Sequence, residues 1–106
     1  MSTGIIAGNA FSIQIVTATV DLGSVAANTT EEETATVTGV RTGDFVSVSK
    51  SDLDAGIMLG TCRVTAADTV AIQVVNSTAS AVDAASETMT FMVIRPEAGD
   101  RTAVAP

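Results

Sequence analysis

Three groups of residues in this chain have types that could do chemistry. Glu31-Glu32-Glu33 concentrates carboxylates and could hold a cation or face a basic partner. The same residues have a plainer use at a loop end beside a strand, where charge deters sheet-to-sheet pairing. Asp52, Asp54 and Gly56 have the opening spacing of a calcium-binding loop. Such a loop needs a carboxylate at its twelfth position. Counted from Asp52, that position is Arg63, so the motif fails and the segment reads as a capped turn. Cys62 would need an adjacent base and a depressed pKa to act as a nucleophile. The chain contains no His, so Cys62 reads as a buried structural thiol.

The missing residue types exclude more than the present ones suggest. Without His there is no His-based catalytic triad and no His metal site. A single Cys allows no internal disulfide and no thiolate-rich zinc site. The 8 Gly are isolated and form no phosphate-cradling loop. The 12 Asp and Glu are scattered over turns, with no carboxylate pair placed for acid–base work. Against them stand 5 Lys and Arg, and a net charge of −7 argues against gripping nucleic-acid phosphates. The expectation is a non-enzymatic protein with no cofactor and no metal. The residues left over for function are those of a partner interface. Arg63 and Arg95 are scarce cations that could pair across strands or across a subunit boundary. Met92 and Ile94 give the last strand a second apolar face, and Ile5-Ile6 could pack on a neighbour.

The elements that must position these residues are strands. Val, Ile and Thr recur in short runs, which is strand composition. Phe11 to Leu22 alternates as Phe11, Ile13, Ile15 and then in the opposite phase as Val16, Ala18, Val20, Leu22. That switch predicts a bulge or bend near Ile15–Val16. Residues 23–32 read as a loop, and a second strand is expected from Glu33 to Val40. Arg41-Thr42-Gly43-Asp44 is turn chemistry, with Gly43 free to take a positive φ. A third strand follows over 45–49 with Val46 and Val48 on one face. Lys50 to Gly56 could hold one helical turn capped by Ser51. The fourth strand, 57–66, changes phase near Gly60, which can host a bulge. Ala67-Asp68 closes a hairpin into a fifth strand, 69–76, bearing Val70, Ile72 and Val74 on one face. After a polar loop, a sixth strand over 88–95 presents Met89, Phe91 and Val93, and Pro96 ends it.

This spacing of strands and turns predicts an all-β fold, an antiparallel β-sandwich of the jelly-roll or immunoglobulin-like kind with six to eight short strands. Residues 1–10 read as an N-terminal arm, 11–96 as the sandwich domain and 97–106 as a C-terminal tail. Size scaling allows burial of about two-thirds of the unfolded surface. The core is built from small residues, with 17 Ala and 14 Val against 3 Leu and 3 Phe. A core of that kind is marginal alone and gains from assembly. No run approaches a membrane span of ~20 apolar residues. Residues 1–10 carry no Lys or Arg, unlike the charged start of a secretory signal. Cys62 fits synthesis in a reducing cytoplasm. Asn28-Thr29-Thr30 and Asn76-Ser77-Thr78 match the glycosylation pattern only as chance products of Thr-rich turns.

Residues 20–96 carry a run of features: Val37-Thr38-Gly39-Val40, Gly43-Asp44 before a Val-Ser-Val strand, and Val64 followed by Thr-Ala-Ala-Asp-Thr-Val. Asn76 closes a Val-Val strand, and Val82-Asp83 precedes a last strand ending Val-Ile-Arg-Pro. In these the chain resembles small structural proteins encoded among the head genes of tailed bacteriophages, especially those of marine bacteria and cyanobacteria. The resemblance implies a capsid decoration, or cement, protein with a β-sandwich or jelly-roll fold. It implies a homo-oligomer, a trimer by preference, bound to the major capsid protein on the outer capsid surface of the virion after synthesis in the bacterial host cytoplasm. It carries over no functional residue, because the shared pattern is itself structural. The short chain departs from multi-domain tail fibres. A competing expectation is an immunoglobulin-like adhesin or tail-associated module binding a host receptor. The absence of Trp and Tyr counts against glycan binding, because sugar faces stack on aromatic rings.

Overall fold

The computed structural model describes residues 10–96. They form eight strands: β1 (Ala10–Val20), β2 (Ser24–Val25), β3 (Thr29–Thr36), β4 (Phe45–Lys50), β5 (Ile57–Ala66), β6 (Thr69–Asn76), β7 (Val82–Asp83) and β8 (Glu87–Pro96). No helix occurs among the described residues. Two antiparallel sheets, β1-β8-β4 and β3-β6-β5, supply the layers, and the short pair β2-β7 closes one end. Val46, Met89, Phe91 and Val93 from the first sheet meet Ala35, Ile57, Val70, Ile72 and Val74 from the second in one buried cluster. Strand alternation puts these residues on facing inner surfaces, as a sandwich requires. The fold is therefore an all-β antiparallel sandwich.

The strand order can be set beside that of an immunoglobulin sandwich. An immunoglobulin sandwich pairs strands B-E-D in one sheet and has F beside C in the other. Here β3-β6-β5 and β8-β4 occupy those places. β1 lies along β8, where the last strand of that fold would lie. The order is immunoglobulin-like, and β1 becomes an outer edge.

Several local expectations are corrected. β1 has no bulge at Ile15–Val16: its register to β8 runs unbroken from Ser12↔Arg95 to Val20↔Glu87, and the one irregularity lies at Ala10/Ser12. The strand keeps its phase, and its apolar residues change face instead. β3 starts at Thr29 and ends at Thr36, about one turn of sequence ahead of the expected 33–40. Eight successive pairings with β6, from Thr29↔Asn76 to Thr36↔Thr69, override the weak strand propensity of three glutamates. Val37 to Val40 instead makes a turn held by Asp68, whose backbone and carboxylate bond Val37, Gly39 and Val40. The loops over 23–32 and 77–87 contain the small β2-β7 pair.

The segment after β4 is not helical. It closes through the Ile57 N–H to the Asp54 carbonyl at 3.1 Å, with Gly56 at φ 84°. Lys50 turns inward, its side chain only 4% exposed, donating to the Asp52 carbonyl and lying 3.3 Å from Glu87. A buried ammonium must find partners, and this requirement shapes the segment more than helix capping does. Other expectations hold. The Arg41–Asp44 turn forms, with the Asp44 N–H bonded to the Arg41 carbonyl at 3.0 Å and Gly43 at φ 101°. The register shift in β5 falls between Leu59 and Cys62, around Gly60. Asp68 closes the β5-β6 hairpin at φ 61°.

Candidate functional site: an uncharged apolar sheet face

The outer face of the β1-β8-β4 sheet is the feature that the core does not explain. In β1, the inward positions of the second half are Val16, Ala18 and Val20, while the outward ones are Thr17 and Thr19. In the first half this reverses: Phe11, Ile13 and Ile15 face out, and Ser12 lies on the other face. The register sets Ile13 beside Ile94 and Ile15 beside Met92 on β8, and Ile94 beside Phe45 on β4. Phe11, Ile13, Ile15, Phe45 and Met92 are 67, 50, 62, 62 and 42% exposed. At about 200 Å² for a fully exposed large side chain, they leave roughly 500 Å² of apolar surface in water. No outward position of β1, β4 or β8 carries a charge; beyond the apolar end the face is Thr and Ser. In β1 the usual sidedness of a half-buried sheet, apolar in and polar out, is inverted at this end, while β4 and β8 also turn Val46 and Val93 inward.

Beneath one end of the apolar patch lies an ion pair. Arg95 Nε and Nη2 donate to Asp44 Oδ1 and Oδ2 at 3.0 and 2.8 Å, and Nη2 also reaches the Gly39 carbonyl at 2.7 Å. Asp44 is almost fully buried and also accepts the Arg41 N–H at 2.9 Å. The Arg95 hydrogen bonds hold the Asp44 carboxyl below its ordinary value, with burial opposing them. This pair ties the 39–44 turn under β8 and fixes the end of the sheet that carries the patch.

The residues expected at an interface are thus divided. Met92 and Ile94 lie in the patch. Arg95 lies on the inner side and is engaged by Asp44 and Gly39. Arg63 lies on the outer side of the other sheet, where Nε and Nη2 grip Glu32 at 2.9 and 2.7 Å across β6. That exposed bidentate pair draws the Glu32 carboxyl down and the Arg63 guanidinium up. Ile5 and Ile6 fall outside the described residues. Phe11, Ile13, Ile15 and Phe45 belong to the patch, and sequence reasoning missed them. For Phe11, Ile13 and Ile15 the signal was the phase switch in residues 11–22, which can mark a change of face as well as a bulge.

The remaining candidates show no convergence. Glu31 and Glu33 lie on the inner phase of the β3 edge, where burial first, and then the Glu31 charge, raise the Glu33 carboxyl. Among the described residues, no three metal-ligating side chains come together. Cys62 is half-buried beside a shallow groove between β4 and β5 that includes Phe45 and Gly60, and burial raises its thiol. Asn76 is fully buried and satisfied: its Nδ2 donates to the Val25 and Ser80 carbonyls, and its Oδ1 accepts from the Thr78 N–H and hydroxyl. It ties β6 to β2 and the following loop. No family model matches this chain, and neither a curated protein nor a solved structure matches it.

Proposed function

We propose that this chain is a non-enzymatic structural protein that decorates and stabilises a bacteriophage capsid, binding the major capsid protein through sheet edges and terminal arms. The observation that carries the reading is the pairing of Ala10 with Pro96 at one end of the β1-β8 ribbon. Residues 1–9 and 97–106 therefore both join the sandwich at the same point. Two segments attached at one point can engage one neighbouring surface, and linked weak contacts gain from effective concentration. The resemblance of residues 20–96 to phage head proteins supplies the shell as that surface. The charge of −7 keeps such a protein from sticking to packaged DNA.

The test adds the purified chain to capsid shells that lack it. Cosedimentation with the shells and a rise in their melting temperature are expected. A variant reduced to residues 10–96 should bind much more weakly while keeping its own fold by circular dichroism. Shells that neither bind the full chain nor gain thermal stability would refute the reading.

A further inference from the structure

We infer that the apolar face formed by Phe11, Ile13, Ile15, Phe45, Met92 and Ile94 is covered by the same face of a second copy of this chain. Two observations select that occupant. The first is area. A stable interface buries about 800 Å² per partner, of which about two-thirds is apolar in homodimers. The roughly 500 Å² of exposed apolar surface matches that apolar share, using about 200 Å² per side chain.

The second is charge. The whole chain carries −7, yet the outer face of this sheet carries none of it. A basic partner would gain most from the exposed carboxylates elsewhere, such as Asp52, Asp54 and Asp83. A second acidic copy is repelled by those surfaces and can approach closely only through a neutral one.

A sheet face meeting its own copy about a two-fold axis is isologous and closes at two subunits. The two outer sheets would stack about 10 Å apart, Ile13 and Ile94 lying central in each face. This pairing differs from the three-fold ring that the phage resemblance implies. It is independent of the capsid, so its failure and that of the decoration reading are separable.

The test is the mass of the full chain in solution at micromolar concentration, by light scattering and sedimentation equilibrium. Twice 10.7 kDa is expected. Ile13→Glu and Ile15→Glu place charge in an exposed face, so the fold survives, which circular dichroism checks. Each should weaken pairing by roughly a hundredfold or more, because the carboxylate would be desolvated without a partner. Met58→Glu, equally exposed on the outer side of the other sheet, should leave the mass unchanged. A monomer, the result if the chain's own terminal segments cover the face, would overturn the inference. So would a three-fold mass, or a dimer that Ile13→Glu leaves intact.

Discussion

At the residue scale, two buried polar groups hold what the small side chains of the core cannot. Asn76 uses both amide hydrogens and its carbonyl oxygen on partners from two segments, β2 and the loop after β6. Asn76→Ala leaves the Val25 carbonyl without its donor inside the domain and is expected to destabilise by about 3 kcal/mol. Urea unfolding of the wild type and variant measures this. Asp44 contributes in a pH-dependent way. Its folded pKa lies below the ordinary value of 3.8, so its stabilisation is complete above that value and is lost as pH falls through the folded one. Melting temperature should drop over that acidic range, and Asp44→Asn should flatten the drop. Glu33 has the opposite sign. Its folded pKa lies above 4.5, so ionisation above that range works against the fold. Glu33→Gln should therefore raise the melting temperature near neutrality and change little in acid.

At the element scale, the turns decide how the strands are joined, and they tolerate few residue types. Gly56 sits at φ 84°, and a Cβ there would collide with the Thr78 methyl. Thr78 cannot rotate away freely, because its hydroxyl donates to Asn76 Oδ1 and meets the Ser80 carbonyl, each at 2.7 Å. Gly56→Ala is expected to destabilise by about 2 kcal/mol. If strain and the clash act through this network, its effect and that of Asn76→Ala will be less than additive in a double-mutant cycle. The inward residues Val46, Val70, Ile72, Val74, Met89, Phe91 and Val93 were legible in the sequence, since strict alternation with one face buried leaves a single consistent register. The position of β3 was not. Thr29 to Thr36 looks like a polar loop, and only its eight pairings with β6 make it a strand. The buried Lys50 was hidden for a similar reason. Its stem packs inward because Glu87 and the Asp52 carbonyl stand at the end of the neighbouring elements.

At the scale of the whole molecule, one sandwich presents two unlike outer faces. The β3-β6-β5 sheet faces water with Glu32, Arg63 and Met58, while the β1-β8-β4 sheet faces it with an uncharged apolar end. A monomer of this size can carry a patch of a few hundred Å², and such patches commonly mark contact sites. Pairing across it should raise stability with protein concentration, because association favours the folded state by mass action. The expected outcome is a melting temperature that climbs with concentration for the wild type and stays level for Ile13→Glu. Calorimetry over a wide concentration range would show it.

By composition and alternation alone, this sequence determined an all-β sandwich, the inner faces of its central strands, the Arg41–Asp44 turn and the irregularity at Gly60. These are local properties: they follow from the period of two along a strand and from the φ values each turn residue can take. Three features were decided by tertiary structure. The neighbour of each strand depends on which sheet it joins, and β1 joins β8 as an outer strand. The pairing of Arg95 with Asp44 joins residues far apart in sequence and sets one ion pair at the end of the sheet's inner side. The same switch of phase in residues 11–22 can bend a strand or turn its apolar residues outward. The unbroken register with β8 selects the second, because a regular ladder of backbone hydrogen bonds leaves no extra residue with which to change phase.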